Sequence, residues 1–164
     1  DTPECGDTMT LLELMAGQGT TLGRSFGELR RIMELVDAPG RVGICVDTCH
    51  AFAAGYELRT PEGYAATLAE LDAEVGLDAV KCWHFNDSKG GLGSHKDRHT
   101  HIGQGEIGVA AFEMILNDER WAGVPMLLET PKEEDMADDV MNLKTLAGLV
   151  ADPTRLPAGY QIEM

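Results

Sequence analysis

The chain has no long apolar segment. Although 43% of its 164 residues are hydrophobic, no stretch approaches the roughly 18 consecutive apolar residues that a membrane-spanning helix needs. We therefore expect no membrane partner. Linkers rich in proline or glycine are also missing between the apolar segments. Their absence favours one packed domain over residues 1–150, followed by a loose tail at 151–164.

Cysteine pairs with the spacing of zinc ribbons or redox motifs are absent. The four cysteines, Cys5, Cys45, Cys49 and Cys82, form no C-x-x-C sequence. Cys45 and Cys82 fall inside apolar segments, where a small buried thiol is the simplest interpretation. This usage predicts a reducing, cytoplasmic setting.

Basic residues are scarce: 13 lysines and arginines stand against 28 acidic residues, for a formal net charge of -15. A surface of that charge repels nucleic acid unless it is neutralised locally. The composition therefore counts against a nucleic-acid enzyme, except one whose binding face carries bound cations.

Four short apolar segments predict buried strands, namely "MTLLEL", "RVGICVDT", "VKCWHFND" and "VPMLLET". Segments with helical spacing follow them at 25–36, 60–76, 108–118 and 133–150. Thr60 is a candidate cap and Pro61 a candidate first residue of the second helix. The strand-helix alternation predicts a parallel α/β sheet with right-handed crossovers.

Each predicted strand ends in a residue able to bind a metal or move a proton: Glu13, Asp47, His84 and Glu129. The carboxyl ends of parallel strands lie at one edge of the sheet, so these four side chains are expected to converge there. A single acid at a strand end is equally well explained as a turn or capping residue. Four such residues, one of them a histidine, favour a common site.

The segment "HFNDSKGGLGSHKDRHTHIGQG" contains four of the five histidines. Asp97 and His99 can face one ion from an extended or turn backbone, and His50 can join them from the neighbouring strand end. Ligands of this kind suit zinc, manganese or iron. His95 and His101 are better explained as a solvated residue and a packing or hydrogen-bonding residue, and "GQGEIG" as turn residues before the third helix.

The segments "LLELMAGQGTTLG", "VGICVDTCHAFAAGY", "HFNDSKGGLGSHKDRHTHIGQGEIG" and "LLETP" resemble successive signatures of the endonuclease IV family, also called deoxyribonuclease IV, over residues 8–145. The resemblance implies a TIM barrel with three zinc ions at its carboxyl end. It also implies cleavage of double-stranded DNA on the 5′ side of abasic sites during base-excision repair.

The resemblance assigns a role to each candidate ligand. Glu13 is similar to the carboxylate that bridges the first and second metals, and Glu13 and Glu129 would act in catalysis through bound metals. The ligands of the second metal are Glu13, Asp47, His84 and Glu129, and those of the third are His50, Asp97 and His99.

A complete (β/α)8 barrel runs to about 250 residues, whereas this sequence predicts four strand-helix units. By the resemblance, the histidines of the first metal belong to the N-terminal half of the barrel, so the first site keeps only Glu13 here. We therefore expect the C-terminal half of a barrel, which binds fewer than three zinc ions and pairs with a missing N-terminal half or with itself. Two alternatives remain open: a sugar isomerase or epimerase of the same barrel type, and a non-catalytic metal-binding fragment. The Asp97-Arg98-His99 element favours the nuclease, because a third metal serves a phosphodiester and not an aldose-ketose shift.

Overall fold

The computed structural model of the chain describes residue 6, residues 8–36 and residues 40–156. Within these ranges the strands are β1 (Thr10–Glu13), β2 (Val42–Asp47), β3 (Val80–Phe85), β4 (Asp87–Ser88), β5 (His99–Thr100) and β6 (Met126–Leu128). The α-helices are α1 (Phe26–Leu35), α2 (Thr48–Ala54), α3 (Pro61–Glu74), α4 (Val109–Leu116) and α5 (Ala137–Leu149). Short 3-10 helices occupy Leu77–Ala79, Glu119–Trp121 and Pro153–Arg155.

The main sheet has four parallel strands in the order β1-β2-β3-β6, as the strand-helix alternation predicts. Trp83 and Phe85 are buried on the face covered by helices, where Phe85 makes an edge contact with Phe112 of α4. Each such buried aromatic side chain contributes about 1.5–3 kcal/mol to stability. Because the strands are parallel, their carboxyl ends meet at one edge of the sheet.

The predicted starts of the first three helical segments agree with the structure to within a residue, whereas the fourth, predicted from 133, begins at Ala137. Ser25 caps α1 by accepting a hydrogen bond from the backbone N–H of Glu28. Thr60 caps α3 in the same way through the N–H of Gly63, and Pro61 is the first residue of that helix. None of the helices among the described residues is long and apolar enough to cross a membrane.

Helix α2 follows β2 directly and is not among the helical segments that the sequence predicts. Asp47 ends β2 and also caps α2, since its Oδ1 accepts a hydrogen bond of 2.8 Å from the N–H of His50. Gly55 ends the helix with φ at 112°, a left-handed conformation that glycine adopts without strain. The segment is therefore a strand, a cap and a short buried helix.

A small antiparallel pair, β4 with β5, also lies outside the sequence prediction. The buried Asp87 carboxylate anchors the loop that follows this pair. It accepts hydrogen bonds from the backbone N–H groups of Ser88, Gly103, Gly105, Ile107 and Gly108. The "GQGEIG" segment is thus a turn before α4, as expected, and its N–H groups are directed at Asp87.

The predicted tail at 151–164 is ordered where the structure describes it. Residues 151–156 include a 3-10 turn that Asp152 caps through the N–H of Thr154. Leu156 lines an apolar groove together with Phe85 and Leu116. The remainder of the tail, residues 157–164, lies outside the described residues, as does Cys5.

Candidate metal centre

All seven predicted ligands lie together at the carboxyl edge of the sheet, in two adjoining groups. The first, the carboxylate group, contains Glu13, Asp47, His84 and Glu129, with ligand atoms within 4.8 Å of one another. The second, the histidine group, contains His50, Asp97 and His99, with Asp47 also within reach of its two histidines.

In the carboxylate group, His84 stands among three acids. Its Nδ1 lies 3.3 Å from Oε1 of Glu13, 3.0 Å from Oε2 of Glu129 and 4.0 Å from Oδ2 of Asp47. Asp47 is fully buried, whereas 47% of the Glu129 side chain is exposed. The group is therefore closed on the sheet side and open to solvent at Glu129.

In the histidine group, backbone carbonyls determine which ring nitrogens face inward. Nδ1 of His50 lies 3.0 Å from the carbonyl oxygen of Leu14, and Nδ1 of His99 lies 3.2 Å from that of Glu129. A carbonyl only accepts, so each Nδ1 carries the proton and donates it. Each Nε2 is then free in the neutral ring, as in metal-binding histidines oriented by a backbone partner.

The three inward atoms of the histidine group form a triangle of suitable size. The Nε2 atoms of His50 and His99 are 3.4 Å apart. Oδ1 of Asp97 lies 3.2 Å from Nε2 of His50 and 3.3 Å from Nε2 of His99. Zinc bonds of 2.0–2.2 Å in tetrahedral geometry require ligand separations of roughly 3.3–3.5 Å. The triangle therefore matches three corners of a zinc tetrahedron.

Asn86 joins the two strand ends on either side of β3 and was not among the predicted site residues. Its Nδ2 donates to Oδ2 of Asp47 at 2.6 Å, and its Oδ1 accepts from the N–H of Glu129 at 3.0 Å. The Thr48 hydroxyl holds the Asn86 backbone through bonds of 2.7 and 2.9 Å. Asn86 is completely buried. The sequence signal for it was its place two residues after His84, on the same face of the strand.

The charges of the site shift several pKa values. Burial raises the pKa of Glu13, but hydrogen bonds from His50 and His84 outweigh it and bring the pKa to about 2. Burial lowers the pKa of His50, yet its bond to Glu13 and the charges of Asp47 and Asp97 raise the pKa to about 9. Burial raises the pKa of Asp47. Without a cation, protonated histidine therefore balances the carboxylates.

His95 and His101 belong to neither of the two groups. His95 is exposed, as expected, and its Nδ1 also lies 3.2 Å from the carbonyl oxygen of Ala16, which joins two loops. His101 contacts the Asn142 amide at 3.1 Å, which fits the hydrogen-bonding role expected for it.

The donors present fit hard or borderline divalent cations. Imidazole nitrogen and carboxylate oxygen suit zinc, manganese and iron, and the histidine triangle has the dimensions of a zinc site. The ligand role of the seven residues stays a prediction.

Comparison with known proteins places this geometry in a family. Residues 7–146 match the family described as xylose isomerase-like TIM barrels. The chain belongs to this family. Its parallel sheet is part of such a barrel, and the predicted fold class and the resemblance to endonuclease IV are confirmed.

Individual relatives give the finer resemblance. The "Probable endonuclease 4" of Chloroflexus aurantiacus is 62% identical over 145 residues, which are 88% of this chain and 51% of that protein. The protein of the same name from Trichlorobacter lovleyi is 54% identical over 90% of this chain and 52% of its own length. The crystal structure of endonuclease IV from Thermus thermophilus matches with a TM-score of 0.73 and 38% identity, covering 85% of this chain and 48% of that one. The chain therefore spans about half the length of the relatives it matches.

Proposed function

We propose that this chain supplies most of the metal ligands of a zinc-dependent endonuclease, which hydrolyses the DNA backbone on the 5′ side of abasic sites in base-excision repair. The proposal rests on the histidine group, whose three inward atoms are spaced as zinc ligands beside a separate carboxylate group. The relatives named "Probable endonuclease 4" support the same reaction.

The cations would be held by the two groups, and when bound they would lower the pKa of coordinated water and neutralise the phosphate. The chain's own residues determine where this happens. Oε1 of Glu13 lies 3.1 Å from Nδ1 of His50 and 3.3 Å from Nδ1 of His84, so this carboxylate stands between the groups. Glu13 would bridge the second metal to the first, whose other ligands the N-terminal half would supply.

Hydrogen bonds from the scaffold hold the ligands before any substrate arrives. His99 donates to the carbonyl of Glu129 and so fastens the end of β5 to the end of β6. The main-chain N–H of His50 and the Asn86 amide each hold one oxygen of Asp47. Such preorganisation supports electrostatic catalysis, in which the site is arranged before charge develops.

The acidic composition does not oppose DNA binding at this edge. Lys89, Lys96 and Arg98 are exposed on the loop between β4 and β5, the same loop that carries Asp97. Bound cations would add positive charge at the same place. Phosphate contacts of this kind supply much of the affinity of a DNA-binding protein.

The family also supports a second candidate function. Its description names xylose isomerase, and a carboxylate group with one histidine would serve a sugar isomerase or epimerase. The histidine group favours the nuclease, because a third cation stabilises a phosphodiester and has no part in an aldose-ketose shift. A non-catalytic metal-binding role is the remaining alternative.

The test uses a DNA duplex with one abasic-site analogue and zinc. We expect the chain to cut poorly alone and efficiently after refolding with the N-terminal half of the Chloroflexus aurantiacus relative, which would pair the free edges of β1 and β6 and add first-metal ligands. Asp97→Ala and His99→Ala should each abolish cutting while duplex binding persists. Full cutting by these variants, or aldose isomerisation without cutting, would contradict the proposal.

A further inference from the structure

Two buried thiols lie directly beneath the carboxylate group. Cys45 of β2 and Cys82 of β3 are paired in register, two residues before Asp47 and His84 respectively. Both are free thiols, only 3% and 5% exposed. Their Sγ atoms and a ring nitrogen of His84 lie within 4.8 Å of one another. This thiol group contains no residue of the predicted metal sites except His84.

A β-bulge brings the two thiols together. Ile44 pairs with Val80, but the next residue, Cys45, pairs with Cys82, so Lys81 is the extra residue of the bulge. In a regular ladder Lys81 would have stood opposite Cys45. Bulges re-aim side chains and are frequent beside functional sites. Here the bulge places sulfur against sulfur on the face that also carries His84.

The donor set differs in chemistry from the two neighbouring groups. The two thiolate sulfurs are soft ligands and the imidazole nitrogen is a borderline one. Together they prefer zinc, cadmium or monovalent copper over magnesium, calcium or manganese. Tetrahedral zinc-sulfur bonds of about 2.3 Å require sulfur atoms roughly 3.8 Å apart. The donor atoms of the thiol group all lie within 4.8 Å of one another, so a small change of side-chain conformation would bring them to that separation. The negative charges of Glu13 and Glu129 also act on Cys82 and would attract a cation to this layer.

We propose that Cys45, Cys82 and His84 form a binding site for a soft d10 cation of the cadmium class. Each thiol releases its proton to solvent as its metal-sulfur bond forms, and His84 completes a three-residue ligand set. Since His84 also belongs to the carboxylate group, an ion in the thiol group would compete with that group for the imidazole.

The site is independent of the proposed nuclease activity, because it is defined by binding alone. Its consequence for that activity is inhibition: a soft cation would remove His84 from the carboxylate group without displacing Asp47 or Glu129. A failure of the nuclease proposal would leave the binding result unchanged, so the two ideas can be judged separately.

The experiment titrates the chain with Cd2+ and follows the ultraviolet charge-transfer absorption of thiolate-bound cadmium, in a Cys5→Ser background throughout. We expect one equivalent of Cd2+ to develop the band, and a 113Cd resonance in the range of sulfur ligation. Cys45→Ser and Cys82→Ser should each weaken the affinity about 100-fold or more, because losing even a partner that only orients a ligand costs about 10- to 100-fold.

Cys49→Ser is the matched control, since Cys49 is also a buried free thiol but lies in α2 outside the thiol group. It should retain the band and the affinity. Circular dichroism of each variant distinguishes loss of a ligand from loss of the fold. If a variant fails to fold, the thiolate band and the 113Cd resonance of the Cys5→Ser chain, which keeps Cys45 and Cys82, decide whether the thiols bind cadmium. Cadmium that binds this chain without a thiolate band, or a band lost equally in Cys49→Ser, would overturn the proposal.

Discussion

Replacing Asn86 with aspartate tests how the scaffold holds the candidate ligands. The two side chains have almost the same shape, but a carboxylate cannot donate the 2.6 Å hydrogen bond that the Asn86 amide gives to Asp47. It can still accept from the N–H of Glu129. Asn86→Asp therefore removes one interaction and leaves the other, while placing a second acid against a completely buried one.

The cost can be worked out from these contacts. A hydrogen bond to a charged group contributes about 1.5–3 kcal/mol, and a buried charge left without its partner costs about 3–5 kcal/mol in all. We expect Asn86→Asp to lower the free energy of unfolding by about 3–5 kcal/mol at pH 7. Since a typical domain has only about 5–15 kcal/mol, the loss is large. At lower pH the introduced carboxyl gains a proton and donates it in a hydrogen bond to Asp47, which recovers part of the lost free energy of unfolding.

Urea unfolding at pH 7 and pH 5 measures the change in the free energy of unfolding. Competition with a chelator measures the change in zinc affinity. Because Asn86 orients Asp47, zinc affinity should fall about 10- to 100-fold. Asn117→Asp is the control: this amide also links separate segments, donating to the carbonyls of Glu113 and Leu149, but at the end of α4. Unchanged stability and zinc affinity in Asn86→Asp, or an equal loss of zinc affinity in Asn117→Asp, would refute the reasoning.

Three further results are expected. Elemental analysis after dialysis should find fewer than three zinc ions per chain, and three tightly held ions would contradict an incomplete first site. Gly105→Ala should destabilise the fold by about 1–3 kcal/mol in urea unfolding, because a Cβ there would lie 2.4 Å from both Asp87 Oδ1 and the Ser88 carbonyl, whereas Gly91→Ala meets nothing within 4 Å and should be neutral. In the metal-free protein the pKa of His50 is raised from 6.5 to about 9, so protonated His50 should stabilise the fold. This contribution should be fully present below pH 6.5 and should be lost as the pH rises through 9. Histidine NMR should show a lower pKa in Glu13→Gln.

The parts of the fold that follow from local patterns could be predicted from the sequence. Short apolar segments predicted the parallel strands, and Thr60 with Pro61 predicted the start of α3. Both predictions are possible because capping and periodicity act over a few residues. The β4-β5 pair could not be found in this way. Its strands have two residues each, too few for a pattern, and they are held by Asp87 through N–H groups 16 to 21 residues further along the chain.

The convergence of the candidate ligands was partly predictable for the same reason. Residues at strand ends share an edge in any parallel sheet, so Glu13, Asp47, His84 and Glu129 could be grouped by position alone. Asn86 was missed as a site residue because its importance comes from two bonds across the sheet, to Asp47 and to the Glu129 backbone. A sequence places Asn86 on the right face, but it does not reveal which neighbours lie within 3 Å of the amide.

The helix cap at the start of α2 positions ligands of both the carboxylate group and the histidine group. Asp47 ends a strand and caps the next helix, and the cap bond to the N–H of His50 fixes the first turn of that helix. His50 is then the third residue after the cap, so its ring projects from the same strand end toward Asp97 while Asp47 faces His84. A capping residue without charge would keep the helix but lose an anionic neighbour of both groups. We therefore conclude that the spacing between Asp47 and His50 is set by helix capping, and that the candidate metal centre makes use of it.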